Sequence, residues 1–170
     1  MIMVTVGMHT QPFHRLVQAA DGLGAIMDEV VVIQRGVSGY TPTSSRSFDF
    51  TDGAGMAAWI ARARVVVAHG GAGTILETLQ AGKPLVLVPR LKRYGECLDD
   101  HQVELVAALV EQDRAVAVMD PSAESLRAGV EQASQLASAS GQTGSLQLAL
   151  RAWLEEWAQA SKRSPDVLGR

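Results

Sequence analysis

Val65-Val66-Val67-Ala68-His69-Gly70-Gly71-Ala72-Gly73-Thr74-Ile75-Leu76-Glu77 is the stretch on which the reading of the fold turns. Its first four residues are continuously apolar and mostly β-branched. That is the pattern of a parallel strand covered on both faces, which has no wet side toward which to alternate. His69 and three glycines follow, and helical spacing begins at Thr74. Glycines directly after a buried strand and before a helix let backbone N–H groups approach an anion, which is how helix N-termini bind phosphate.

Working outward, short apolar runs alternate with longer helical patterns. Strands are expected near residues 2–6, 30–33, 47–50, 65–68, 85–88 and 115–118, and helices near 12–22, 54–63, 74–81, 100–112, 122–138 and 145–161. Such alternation implies an α/β fold, a doubly wound parallel sheet of Rossmann-like type. Pro12 suits the first turn of the first helix, whose apolar face is Phe13, Leu16, Val17 and Ala20. Residues 36–47 and 138–144 read as loops, and no internal repeat is visible. The main domain is expected to cover residues 1–161, with 162–170 a flexible tail.

Composition excludes several classes. A chain of 170 residues with 47% hydrophobic and 19% charged residues has the size and balance of one globular domain. Its single cysteine, Cys97, rules out a disulfide framework and any multi-cysteine metal site. With 15 Lys+Arg against 18 Asp+Glu the net charge is -3, so no global positive field exists to hold nucleic acid. No apolar run approaches the roughly 20 residues that span a bilayer. The first residues, Met1-Ile2-Met3-Val4-Thr5-Val6-Gly7, read as a buried strand rather than a signal peptide. A cytoplasmic location is expected, with membrane contact only through a partner.

In an open parallel sheet, ligands sit beyond the carboxyl ends of the strands. The polar residues that follow the strands are Gly7, His9, Gln34, Arg35, Thr51, Asp52, His69 and Arg90. The glycine turn is not the dinucleotide fingerprint, because the third glycine of G-x-G-x-x-G falls at Leu76 and no acidic residue ends the next strand. Nor is it a Walker A loop, since Gly82-Lys83 is followed by Pro84. Thr74 and Glu77 have the S/T-x-x-E spacing of a capping box, the commoner use of that pattern. The glycines equally suit a tight turn, and His69 a hydrogen-bonded structural histidine. Residues 90–98 concentrate Arg90, Lys92 and Arg93, either as a solvated loop or as a site that meets a pyrophosphate on an acceptor or an acidic donor sugar. In the last expected helix Leu146, Leu150, Trp153, Leu154 and Trp157 share a face, for packing or for a partner.

Residues 69–77, continuing through Ala81-Gly82-Lys83-Pro84-Leu85-Val86-Leu87-Val88-Pro89-Arg90 to Asp99-Asp100-His101-Gln102, resemble the donor-binding domain of family 28 glycosyltransferases. Val4-Thr5-Val6-Gly7-Met8-His9 and Gln11-Pro12-Phe13 are similar to that family's opening strand and loop. The likeness extends over nearly the whole chain. It implies the carboxyl-terminal half of a GT-B fold, nearest to the short catalytic subunit of split, two-subunit enzymes.

Under that resemblance His69, the amides of Gly70, Gly71 and Gly73, and Thr74 would hold the diphosphate of a UDP-sugar, and Glu77 the ribose hydroxyls. His101 and Gln102 would contact the donor sugar, residues 50–56 the uracil, and Arg90 would stand at the mouth near the leaving group. His9 would face the diphosphate or the acceptor. Met8 departs from the family, which commonly has a hydroxyl residue there. The implied activity is inverting transfer of a sugar to a lipid-linked acceptor in polysaccharide assembly. It requires a membrane-anchored partner that binds the acceptor, with UDP-sugar as substrate, no cofactor, no metal and no nucleic acid. A non-catalytic nucleotide-sugar-binding module that regulates a partner transferase would share every donor contact.

Overall fold

A computed structural model describes residues 1–98 and 101–139. Six parallel strands, β1 (Ile2–Thr5), β2 (Val31–Gln34), β3 (Arg46–Phe48), β4 (Val65–Ala68), β5 (Leu85–Leu87) and β6 (Val116–Ala117), form one sheet in the order β3-β2-β1-β4-β5-β6. Among the described residues five α-helices connect or cover them: α1 (His14–Ile26), α2 (Gly53–Arg62), α3 (Ala72–Gln80), α4 (His101–Glu111) and α5 (Ala123–Ala139). The order builds outward from β1 in one direction and then restarts at β4 on its other side. The switch point therefore lies between β1 and β4, paired in register from Ile2↔Val65 to Thr5↔Ala68.

The unbroken apolar runs are explained by the two faces. Val65 and Val67 enter a core shared with Phe13, Leu16 and Leu23 of the α1 side and Leu126 and Val130 of α5. Val66 and Ala68 enter the opposite core, with Ile60 of α2, Ile75 of α3 and Leu105 and Leu109 of α4. Successive residues of a strand point to opposite faces, so a strand sandwiched between helix layers is apolar throughout.

Several boundaries differ from expectation. Pro12 stands before the N-cap Phe13, two positions ahead of the first residue of α1. β3 stops at Phe48, because Asp49 turns away to pair with Arg35 at 2.6 Å. The connection from β2 to β3 carries no helix. It is instead tied to α1 by the buried Asp21, whose carboxylate accepts from the Tyr40 hydroxyl at 2.9 Å and from the amides of Thr43 and Ser44 at 2.9 and 2.8 Å. Burial alone would raise the Asp21 pKa, but these donors outweigh it and hold the carboxyl below its ordinary 3.8. The expected helix at 145–161, with Trp153 and Trp157, and the tail at 162–170 lie outside the described residues. Among the described residues no helix is long and apolar enough to cross a membrane.

Candidate functional site

The turn after β4 lies at the switch point beside the turn after β1. The His69 amide donates to Thr5 O at 3.1 Å, extending the β1–β4 pairing by one residue before the chain bends into α3. Here the expected capping box is corrected. α3 starts at Ala72 with Gly71 as its N-cap and no side-chain cap, which places Thr74 and Glu77 inside the helix. The first intrahelical bond to Gly71 O comes from Ile75, at 3.1 Å. The amides of Gly70, Gly71, Ala72, Gly73 and Thr74 thus have no acceptor among the described residues. Such a row of donors at the positive end of a helix is suited to an anion.

The glycines have separate jobs. A Cβ on Gly7 would come within 2.2 Å of a His69 ring atom and one on Gly71 within 2.3 Å, so the two backbones form the walls of a slot that holds the imidazole. Gly7 also needs its freedom for φ +75. A Cβ on Gly70 would lie 2.8 Å from Gln102 Cβ, so Gly70 lets α4 approach the turn. A Cβ on Gly73 would meet nothing within 4 Å, and Gly73 faces open space. His69 is buried, with no hydrogen-bond partner at Nδ1. Burial first, then the positive charge of Arg90, pushes its pKa down from 6.5 to about 4, leaving the ring neutral at physiological pH.

Sequence reasoning gave Gln34 a place at the edge but no task. Its side chain is fully buried and uses its full capacity: Oε1 accepts from the Thr5 hydroxyl at 2.7 Å and the Gly7 amide at 3.1 Å, while Nε2 donates to Gly7 O and Asp49 O at 3.0 Å. It thereby fixes the Gly7 turn that walls the His69 slot. The available signal was a polar residue closing an otherwise apolar strand, since buried amides are retained where they are satisfied.

The other expected site residues are scattered around this centre. His9 is exposed in the β1 turn, its Nδ1 accepting from the Gln11 amide at 3.2 Å. Glu77 is exposed on α3, and Thr74 is half-buried. His101 opens α4 and pairs with Glu104 at 3.6 Å. Gln102 has its Oε1 committed to the Arg90 amide at 3.0 Å. The expected place of Arg90 at the mouth is corrected: the residue is 0% exposed and its guanidinium turns inward. Only Lys92 and Arg93 of the expected basic trio remain at the surface, and Arg93 pairs with Asp120 at 3.6 Å. Of residues 50–56, Phe50 is exposed and Asp52 caps α2 by accepting from the Gly55 amide at 2.7 Å.

The family model of the glycosyltransferase family 28 C-terminal domain matches residues 1–147. The chain is 46% identical over 50 residues to the UDP-N-acetylglucosamine transferase subunit ALG13 of Homo sapiens, a match covering 29% of this chain and 4% of that protein. Among solved structures it is similar to the glycotransferase of kitacinnamycin, with a TM-score of 0.62 and 22% identity over 96% of this chain and 43% of that one. It is also similar to MurG of Acinetobacter baumannii, with a TM-score of 0.54 and 15% identity over 90% of this chain and 49% of that one. The chain spans under half the length of each of these relatives. The glycine turn thus lies at the β1–β4 switch point of one Rossmann-like half of a GT-B fold, and the chain belongs to the glycosyltransferase family 28 C-terminal domain family.

Proposed function

We propose that the chain is the donor-binding half of an inverting glycosyltransferase that seats the diphosphate of a UDP-sugar on the turn 69–74. The observation that carries the reading is the row of amides at the switch point, unpaired among the described residues, in which Gly73 opens on free space. The family, and the UDP-sugar named in the human relative, support uridine as the carrier. In this reading the Glu77 carboxylate takes the ribose hydroxyls, residues 50–56 the base, and His101 and the free end of Gln102 the sugar. His69, being neutral, offers one N–H donor rather than a charge.

Bond breaking at the anomeric carbon moves negative charge onto the departing diphosphate. Amides already aimed at that position stabilise it without reorganising, and the α3 dipole adds to them. The acceptor hydroxyl must lose a proton to a base, which we assign to an acceptor-binding half contributed by a membrane-anchored partner with a lipid-linked acceptor. Support for a partner lies along the same edge: Met8, Val37, Phe50, Tyr94, Leu98 and Met119, all exposed large apolar residues, follow strand ends. Exposed apolar residues on one edge are what an interaction surface would use.

Calorimetry with UDP tests the reading, using Gly73→Ala as the probe. An added methyl has room in the fold but stands where the phosphates would approach. The native chain should prefer UDP over other nucleoside diphosphates, and UDP at about 100 times its Kd should stabilise it by about 2.7 kcal/mol. Gly73→Ala should keep its Tm and bind at least about tenfold more weakly. No heat from the native chain, or native affinity in the variant, would remove the basis for the proposal.

A further inference from the structure

We propose that Arg90 is a positioning residue of the donor site, acting on the opening loop through that loop's carbonyl groups and not on the substrate. This deepens the donor-site reading and rests on it. The Arg90 guanidinium donates from Nη1 to Gln11 O at 2.9 Å, Glu96 O at 3.1 Å and Pro12 O at 3.4 Å, and from Nη2 to Val6 O at 2.9 Å. Its Cζ lies 4.8 Å from the centroid of the Phe13 ring. Among the described residues no carboxylate comes within ion-pair distance of it.

A buried guanidinium without a bonded carboxylate is a costly way to hold loops together. What it provides in return is geometry. The rigid fork of N–H donors fixes several carbonyls relative to one another, which a flexible ammonium cannot do. Three pieces meet there: the segment after β1, the loop after β5 through Glu96, and the start of α4 through the Arg90 amide and Gln102. The segment after β1 carries Gly7, one wall of the His69 slot, and His9. Arg90 thereby sets the distance between that segment and the amide row, and so the width of the anion seat.

The test combines UDP calorimetry, melting temperature and hydrogen exchange on the native chain and on Arg90→Lys, which keeps the charge and loses the fork. The expected result is a folded variant in which exchange rises within residues 6–13 and UDP affinity drops by about tenfold or more well below Tm. A role confined to global stability would lower Tm and leave affinity alone, and that result overturns the proposal, as does unchanged exchange in residues 6–13. If Arg90→Lys does not fold, Phe13→Leu removes the ring beneath the guanidinium and should shift both readouts the same way. Native exchange and affinity in that variant would overturn the proposal. Absence of UDP binding by the native chain would strike down the donor-site reading itself, a separate and recognisable failure.

Discussion

The His69 imidazole is held between the backbones of Gly7 and Gly71, and its protonation has consequences for stability. Its folded pKa, about 4, lies below the ordinary 6.5 because burial and then Arg90 disfavour the charged ring. Well above pH 6.5 the ring is neutral in both states and contributes no pH dependence. As pH falls from 6.5 toward 4, only the unfolded chain gains the proton, so stability drops, by about 2 kcal/mol at pH 5. Asp21 and Glu29, whose carboxyls are held below 3.8 and 4.5, lose their contributions only further down. Denaturant midpoints at pH 7 and pH 5 should therefore separate clearly in the native chain. They should converge in His69→Gln, which has no proton to take up. Equal midpoints in the native chain would mean that the ring is not desolvated as described.

Two neighbouring helices begin in opposite ways, and the contrast shows how one chain separates stability from binding. α2 closes its first turn with the Asp52 carboxylate, while α3 opens behind Gly71 with its donors free. Asp52→Ala should cost about 1 kcal/mol in urea unfolding, the ordinary value of a lost N-cap. A change within a few tenths would show that Asp52 does not cap α2 in solution. The elements were legible because burial on both faces writes itself into runs such as Val65-Val66-Val67 and Leu85-Val86-Leu87. The start of α3 was not: Thr74 and Glu77 satisfy the capping spacing, yet the glycine turn begins the helix three residues sooner through backbone geometry alone. Arg90 was legible as a residue at the ligand edge but not as an inward one. Its direction is set by carbonyls of Val6, Gln11 and Glu96, which only the assembled fold brings together. Gln34 was hidden for the same reason, since its partners lie on β1 and beyond β3.

At the level of the whole molecule, the strand order puts the glycine turn and exposed residues such as Met8 and Phe50 after the carboxyl ends of strands, where, in the proposed reading, two halves of a transferase would meet across the substrate. Met8 is 70% exposed and Leu98 78% exposed, so charging them should not disturb the core. Met8 adjoins the anion seat, so Leu98→Asp alone is the probe: it should leave Tm and UDP affinity unchanged and weaken co-purification with an acceptor-binding subunit. Retained co-purification would place the partner elsewhere. The opposite borders of the sheet carry a different consequence. β3 spans only Arg46–Phe48, with Arg46 and Ser47 exposed, and β6 only Val116–Ala117. Strands this short, one of them bearing a cation, present few open ladder groups to a stranger's backbone. Both borders of the sheet thus resist pairing with a further strand, so the sheet limits its own lateral growth.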